Sequence, residues 1–401
     1  MKVVVAALFM AALISCTPEE RALDPSMGPG GNQPRPGGSI TFGVLGEPKT
    51  LDPYSRQASD LTYAIVDPLY PSLFTFNPDR TTAPELAEGI TISGEEVVIS
   101  LREDARWTNG APITAHDVVA SWRRSRKGSG FSVVQDMRTD GARTVVATGT
   151  AENWEEVLAT DAPVLPMGSF DPRVTGGPFE IVDRRRGSGI TLERSPGWWG
   201  DEALLERVVI QHIDSVEIML ELLRLKRLDV AWVPSTVNLE QRLDRAGLGS
   251  TARFVGERIV FDGPSARALA GAVDEEALGA DLLREDGDVL GRRATGKLPP
   301  GFALAVPHGD ELLALLQRAI QIQLADRGVR MDQLETDVAT FYGSWRERSP
   351  AEARLLRTQG AAPGTVALSR VRSYIAWSGD IEGIGWGGSR PLTTLESWWL
   401  P

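Results

Sequence analysis

The segment from residue 38 to residue 53 reads Gly38-Ser-Ile-Thr-Phe-Gly-Val-Leu-Gly-Glu-Pro-Lys-Thr-Leu-Asp-Pro53. Apolar and polar residues alternate from Ile40 to Val44, which is typical of a β-strand with one buried face. Because Asp52 precedes a proline, it is biased away from helical geometry, so an extended or turning segment is expected there. The segment therefore predicts a half-buried strand with an extended exit at the start of the folded body.

Short-range patterns predict further regular elements in the first half of the chain. Thr114-Ala-His-Asp117 matches a capping box, which predicts a helix running to about Arg126. Asp214 is positioned to cap a second helix, whose apolar residues recur at helical spacing from Val216 to Leu223. Further strands are predicted at 97–101, 179–182, 190–193 and 207–213, the second and third of these forming a hairpin.

The second half contains the pattern of a βαβ unit. It consists of a strand Phe302–Val306, a helix Asp310–Ala325 and a strand Val329–Glu335. Gly328 follows the helix as its C-cap. Such a unit places two parallel strands side by side through a right-handed crossover. We therefore expect a mixed α/β body.

Three other segments of the second half are less regular. Residues 265–283 are rich in alanine and leucine, which favours a helix, whereas 346–360 are charged and are expected to be helical or irregular. Residues 374–401 mix four tryptophans with many glycines, so they cannot form one regular element.

Composition excludes several classes of protein. The 401 residues carry 54 acidic and 42 basic side chains, a net charge of −12. This charge argues against nucleic-acid binding, which needs a basic surface. One cysteine excludes a disulfide framework. The length allows two or three domains, or one two-lobed unit.

The amino end predicts export and a lipid anchor. Lys2 precedes an apolar run that is too short to span a bilayer, and the run ends in Leu13-Ile-Ser-Cys16. This ending resembles the lipobox of bacterial lipoproteins, which predicts a signal peptide at 1–15 and a lipid on Cys16. Residues 16–38 are rich in proline and glycine, which predicts a tether. The expected location is extracytoplasmic, in a periplasm or at the cell surface, on a membrane.

Residue patterns that carry catalysis are absent from the sequence. The three histidines, His116, His212 and His308, have no zinc-site spacing, and no Gly-x-Ser-x-Gly elbow or phosphate-binding glycine loop occurs. We therefore predict no enzyme, no catalytic residue, no metal and no cofactor. A secreted hydrolase stays open as an alternative, because a spatial cluster of acid, base and nucleophile cannot be seen in a sequence.

Two blocks of motifs carry a family resemblance. The first block comprises Gly38–Pro53, Leu69–Pro78, Ala83–Gly89 and Ser100–Val119, and the second comprises Gly177–Val182, Ile190–Gly200 and Leu228–Ala231. In this order they resemble family 5 of the extracellular solute-binding proteins, the receptors of oligopeptide, dipeptide and nickel ABC importers. The likeness is strong over 38–122, good over 177–231 and thin afterwards.

The resemblance implies a two-lobed periplasmic-binding-protein-like fold of type II, in the large peptide-binding subclass. The first lobe would span 39–255, with a shortened inserted subdomain at about 76–170. The second lobe would span 256–365, and 366–401 would return to the first. The chain is shorter than the family commonly is, so we expect a reduced second lobe. The stretch that follows the family's βαβ unit and carries an Asp for the ligand's amino end is not found here, which argues against the family's usual mode of peptide binding.

The same resemblance implies a lipid-anchored, monomeric receptor that takes a peptide-like or other small polar solute into the cleft between the lobes. Its partners would be the permease subunits of an ABC importer. Glu47 and Pro48 follow the first strand where the family's chain runs along the cleft, and a carboxylate there could meet an ammonium group. Trp232, Trp377 and Trp386 are further candidates, for pocket walls. An alternative is a shortened paralogue that acts as a sensory or scaffolding lipoprotein without transport.

Overall fold

The computed structural model describes residues 34–55, 57–77, 79, 81–125, 134–151, 153–159, 162–236, 238–278, 287–289, 298, 301–307, 311–336, 353–359, 365–386 and 390–401. The predicted signal peptide, Cys16 and most of the predicted tether lie outside the described residues.

The strands and helices are numbered in chain order. The strands are β1 (Ser39–Leu45), β2 (Phe74–Phe76), β3 (Thr82–Pro84), β4 (Ala87–Ser93), β5 (Glu96–Leu101), β6 (Val134–Thr139), β7 (Thr144–Gly149), β8 (Phe179–Arg185), β9 (Gly189–Arg194), β10 (Arg207–Ile213), β11 (Val230–Pro234), β12 (Gly249–Asp262), β13 (Gly287–Val289), β14 (Gly301–Pro307), β15 (Arg330–Thr336), β16 (Ala353–Gln359) and β17 (Val366–Trp377). The helices are α1 (Asp60–Val66), α2 (Ala115–Ser125), α3 (Trp154–Ala159), α4 (Val216–Arg224), α5 (Leu239–Arg245), α6 (Ala266–Ala272), α7 (Glu275–Leu278) and α8 (Glu311–Ala325). Two 3₁₀ helices lie at Pro166–Gly168 and Pro391–Ser397, and we call the second the tail 3₁₀ helix.

One large mixed sheet organises the described residues. Its strand order is β15-β14-β16-β12-β17-β11-β1-β10-β9-β8, and β13 also pairs with β17. A four-stranded sheet, β4-β5-β7-β6, and a two-stranded sheet, β2-β3, stand apart from it.

The first strand forms as its alternation predicts. Ile40, Phe42 and Val44 are buried, and β1 runs parallel to β10 on one side and β11 on the other. Helix α4 connects those two neighbours. Its N-cap is Ser215, whose Oγ accepts a hydrogen bond from the Ile218 amide at 3.2 Å. The predicted cap, Asp214, was therefore wrong by one residue, because the serine hydroxyl occupies the capping position.

Other local predictions are confirmed. The Thr114 amide and hydroxyl both donate to Asp117 Oδ2, at 2.8 and 2.9 Å, at the start of α2. Strands β8 and β9 form the predicted antiparallel hairpin. Strands β14 and β15 are parallel and joined by α8, as the βαβ pattern predicts, and Gly328 follows the helix with φ +71°.

The prediction for 346–360 was wrong where the structure describes it. Residues Ala353–Gln359 form β16, which lies between β14 and β12. Ala353 and Leu355 are buried on one face of this strand. The charged residues suggested a helix or loop, but two neighbouring strand edges supply backbone partners that no local pattern reveals.

The apolar residues form two main cores. The first surrounds β1 and includes Phe42, Ile375 and Trp398, whereas the second lies on α6 and α8 and includes Ile259 and Val371. Strand β17 extends from one core to the other, since Ile375 and Val371 both belong to it, and β12 pairs with it. The domain boundaries and the reduced second lobe stay predictions.

The chain end returns to the first core. Glu382 and Trp399 exchange two backbone hydrogen bonds, at 3.0 and 3.1 Å, which bring the two ends of the segment 382–399 together. Gly383 lies beside this bridge with φ +76°, and a Cβ there would lie 2.1 Å from the Ser397 carbonyl oxygen. The close approach of two backbone segments requires glycine at this position. The tail 3₁₀ helix lies against α1 and β2.

None of the helices within the described residues has the length and apolar composition needed to cross a bilayer.

Candidate functional site

A cavity of about 1070 Å³, partly open to solvent, lies where several segments meet. Most of its wall comes from the β2–β3 hairpin with the residues around it, the carboxyl end of α1, α3, the loop at residues 198–201, and the tail 3₁₀ helix. Arg253 of β12 also lies in the wall. Because β12 extends into the second core and pairs with β17, the cavity borders one strand of the connection between the two cores.

Glu85 places a carboxyl group in the cavity wall. It directly follows β3, and its Oε2 accepts a hydrogen bond from the Ser72 amide at 2.9 Å. Burial raises the pKa of Glu85 well above its usual range, the Ser72 hydrogen bond opposes this, and the charges of Glu396 and Asp67 raise it further. The carboxyl group therefore favours its protonated form.

Glu396 places a second carboxyl group in the wall, from the tail 3₁₀ helix. Burial, opposed by its own backbone amide and assisted by the charge of Asp201, raises the pKa of Glu396 to about 7. At neutral pH this group is therefore near the midpoint of its titration, so its charge responds to whatever enters the cavity.

The guanidinium groups of the wall are each engaged by the protein. Arg390 forms a two-point ion pair with Asp67, at 2.9 and 3.3 Å, and its guanidinium carbon lies 5.0 Å from the centre of the Tyr63 ring. Arg253 donates to the Trp386 carbonyl at 3.1 Å.

Arg102 is held on the other side of the cavity. It pairs with Asp104 through two hydrogen bonds of 3.1 Å and lies 5.0 Å from the centre of the Trp199 ring. Among the described residues, no cation pairs with Glu85 or Glu396.

Two adjacent tryptophans add an aromatic wall. The ring centres of Trp198 and Trp199 are 4.2 Å apart, with 40° between the ring planes. Trp198 Nε1 donates to the Asp201 carbonyl at 2.9 Å, which orients the first ring. The cavity thus combines aromatic faces with half-buried carboxyl groups, a combination that suits small polar ligands.

The two candidates that follow β1 lie away from this cavity. Glu47 is exposed, and its Oε2 accepts a hydrogen bond from the Gly187 amide at 3.0 Å, while Pro48 is buried beside it. The Glu47 charge also acts on His212, whose pKa is nevertheless lowered by burial. Their ligand-contact roles stay predictions.

The three tryptophan candidates lie near one another on the large sheet. Trp232 and Trp377 are partly buried against the first core, and Trp386 is 5% exposed within it. Trp386 Nε1 donates to the Thr251 carbonyl at 3.4 Å. None of them lines the cavity, although the Trp386 carbonyl holds Arg253 in its wall. Their ligand-contact roles also stay predictions.

Sequence reasoning missed the cavity residues as site candidates. Glu85, Trp198 and Trp199 lay inside quoted motifs but were interpreted through folding, and Glu396 was not considered. One signal was available. Two adjacent tryptophans in a glycine-bounded loop cannot easily both enter a core, so one of them is free to form a wall.

The stability of the protein should depend on pH through Glu396. Because the pKa of Glu396 is raised in the folded state, its favourable contribution is complete below about pH 4.5 and is lost as pH rises through 7. This loss amounts to at most about 3 kcal/mol. We expect wild type to lose more unfolding free energy than Glu396→Gln between pH 5 and pH 8.5, measured by urea denaturation.

The control for this comparison is Glu156→Gln, an exposed glutamate elsewhere in the cavity wall. It should follow the wild-type pH profile. The groups facing Glu396 from other segments, which are Asp201, Glu85 and the Asp67–Arg390 pair, are the same in all three proteins. Coincident pH profiles for wild type and Glu396→Gln would contradict the prediction.

Comparison with known proteins gives the class, a solute-binding protein, and its family. The chain belongs to family 5 of the bacterial extracellular solute-binding proteins, since the model of that family's middle region matches residues 81–311, more than half of the chain. This is a family of binding proteins rather than enzymes.

Relatives and solved structures agree with this assignment. Protein XP55 of Streptomyces lividans is 26% identical over 309 residues, which cover 69% of this chain and 55% of XP55. The peptidoglycan-binding protein YepA of Agrobacterium fabrum is 28% identical over 195 residues, which cover 41% of this chain and 32% of YepA. The chain therefore spans about half the length of XP55 and about a third of YepA.

A solved structure confirms the fold class. The oligopeptide-binding protein AppA of Bacillus subtilis, solved with a nonapeptide, superimposes with a TM-score of 0.75 at 14% identity. The superposition covers 92% of this chain and all of AppA. The mixed α/β periplasmic-binding-protein fold predicted from the motifs is thus confirmed.

Proposed function

We propose that this chain is an extracytoplasmic receptor that captures a peptide-like or other small polar solute and presents it to the permease subunits of an ABC importer. The observation that carries the proposal is the cavity of about 1070 Å³ with aromatic and carboxyl walls, in a chain of the solute-binding family. A cavity of this size accommodates a short peptide.

The connection between the two cores supports a capture mechanism by closure. The pairing of β12 with β17 shifts register between Phe254 and Arg258, in the part of the sheet between the residues of the first core and those of the second. A local irregularity of this kind allows two packed bodies to rotate. A solute that contacts both bodies stabilises the closed form, so binding shifts the population towards it.

The similar proteins favour a peptide as the solute class. AppA was solved with a nonapeptide, and YepA is named as peptidoglycan-binding. Peptides and peptidoglycan fragments share amide groups and ionised ends, which the polar cavity walls can satisfy.

The test is a thermal-shift screen with short peptides, free amino acids, sugars and metal chelates. A ligand present at a hundred times its Kd should stabilise the native state by about 2.7 kcal/mol and raise Tm by several degrees. We expect this rise with at least one peptide and not with the sugars. If no class of compound moves Tm, the receptor proposal is refuted.

We also propose that the protein is held on the outer side of a membrane by a lipid on Cys16. The motif Leu13-Ile-Ser-Cys16 supports this, together with its place after a short apolar run. Cys16→Ala should remove the protein from the membrane fraction or leave it unprocessed, since the acceptor thiol is lost. The matched control is Ser15→Ala, which keeps the thiol and should stay membrane-bound. Unchanged membrane retention of Cys16→Ala would refute the lipid anchor.

A further inference from the structure

The cavity wall contains two carboxyl groups that have no cation partner. Glu85 accepts one hydrogen bond, from the Ser72 amide, and Glu396 forms no ion pair with any described residue. The guanidinium groups nearby cannot serve both, because Arg390 pairs with Asp67, Arg102 pairs with Asp104, and Arg253 donates to the Trp386 carbonyl. In the described wall, Arg390 and Arg102 are therefore paired with carboxylates, Arg253 is held by a backbone carbonyl, and Glu85 and Glu396 have no cation partner.

From this imbalance we infer that the cavity binds a positively charged group of the solute, an ammonium or a guanidinium, between Glu85 and Glu396 beside the Trp198–Trp199 pair. The inference rests on the proposed function and adds the charge class of the solute. A carboxylate that is partly removed from water gains most from a cation that enters with hydrogen-bond donors.

The electrostatics of the wall support this assignment. Without a ligand the two carboxyl groups tend to hold protons, since burial raises both pKa values. The charges of Glu396 and Asp67 raise the pKa of Glu85 further, and the charge of Asp201 raises that of Glu396. A cation would stabilise the ionised forms and displace those protons. An anionic solute would instead meet two acids and guanidinium groups that are already engaged.

The tryptophan pair supports it independently. Arg102 lies 5.0 Å from the centre of the Trp199 ring, so this wall already holds one guanidinium by a cation–π contact. Trp198 stacks beside Trp199, and both rings line the cavity. The same chemistry can act on a solute cation that lies between the rings and the carboxyl groups.

The test is isothermal titration calorimetry with Ala-Lys-Ala, Ala-Met-Ala and Ala-Glu-Ala at pH 8.5. Methionine matches lysine approximately in length but carries no charge. We expect wild type to bind Ala-Lys-Ala at least tenfold more tightly than Ala-Met-Ala, and Ala-Glu-Ala most weakly. N-acetyl-Ala-Lys-Ala, compared with the free peptide at about pH 7 where the amino terminus is mostly protonated, separates the two sources of positive charge. Binding of the free peptide but not of the acetylated one would assign the cavity to the amino terminus.

The variants Glu396→Gln and Glu85→Gln replace the carboxylate by an amide of nearly the same shape. In Glu85→Gln the amide oxygen can still accept the hydrogen bond from the Ser72 amide. Each variant should reduce the preference for Ala-Lys-Ala to twofold or less, whereas Glu206→Gln, at an exposed glutamate outside the cavity, should keep it. In wild type the affinity for Ala-Lys-Ala should fall by roughly 30-fold from pH 8.5 to pH 5.5, and much less in Glu396→Gln.

The outcomes separate this inference from the proposed function. Equal binding of the three free peptides, with no loss of affinity on N-acetylation, would overturn the cation site and leave the receptor proposal intact. Tighter binding of Ala-Glu-Ala than of Ala-Lys-Ala would also overturn the cation site, because the cavity would then prefer a negative charge. If none of the peptides binds, both the cation site and the proposal of a peptide receptor are refuted. A rise in Tm with a sugar or a chelate would then support a receptor for that other class of solute.

Discussion

Replacement of Arg390 by alanine is expected to lower the free energy of unfolding by about 3–5 kcal/mol. Arg390 and Asp67 are 9% and 13% exposed, and two hydrogen bonds, of 2.9 and 3.3 Å, join them. Thr393 also donates to Asp67, at 2.9 Å. Removing the guanidinium leaves a buried carboxylate with only the threonine hydroxyl, and the desolvation cost of that charge is no longer offset. Urea denaturation followed by circular dichroism measures the loss.

Two controls distinguish this cause from a general effect of removing arginine. Arg173→Ala removes a guanidinium that also forms two hydrogen bonds to an aspartate, Asp171, but on the surface, so stability should remain nearly unchanged. The double variant Arg390→Met with Asp67→Leu should recover most of the lost stability, because no buried charge remains. If Arg390→Ala and Arg173→Ala had equal effects, the buried pair would not be the cause.

Replacement of Trp398 by alanine is expected to have a similar cost, about 3–5 kcal/mol. Its side chain is fully buried in the first core, its ring centre lies 6.0 Å from that of Phe42, and its Nε1 donates to Thr394 Oγ1 at 3.3 Å. Alanine would leave a large cavity beneath β1 and remove the contact that holds the chain end to the first strand. The measurement is again the urea unfolding curve.

The matched control is Trp198→Ala, which removes the same side chain from a partly exposed position in the cavity wall. It should lose clearly less stability than Trp398→Ala but weaken the binding of Ala-Lys-Ala. A loss from Trp398→Ala no larger than that from Trp198→Ala would show that the tail is not part of the first core.

These two predictions concern the tail, residues 374–401, whose structure was the hardest to predict from the sequence. The mixture of tryptophan and glycine from 374 onwards correctly excluded one regular element, but it did not show that Arg390 reaches Asp67. More than three hundred residues separate them along the chain. Their pairing places the tail 3₁₀ helix, and with it Glu396, in the cavity wall.

Elements with a local periodic pattern were predicted well. The alternation in β1, the β8–β9 hairpin and the β14–α8–β15 unit all have signals within the segment that forms them, because side-chain spacing and turn chemistry act over a few residues. Strand β16 was missed because its extended state depends on the neighbouring edges of β14 and β12. Its own arginines and leucines are equally compatible with a helix.

The family and its fold could be inferred from the order of short motifs, since those motifs are turns and strand ends that form locally. The cavity could not, because Glu85, Trp198, Arg253 and Glu396 come from four distant segments and each has an ordinary sequence context. Which charges are paired and which are left facing a ligand depends on how the chain end packs against α1. That packing buries residues that are far apart in the sequence against one another. Only the tertiary structure, which brings together the sheet, the loop at 198–201 and the tail 3₁₀ helix, therefore determines it.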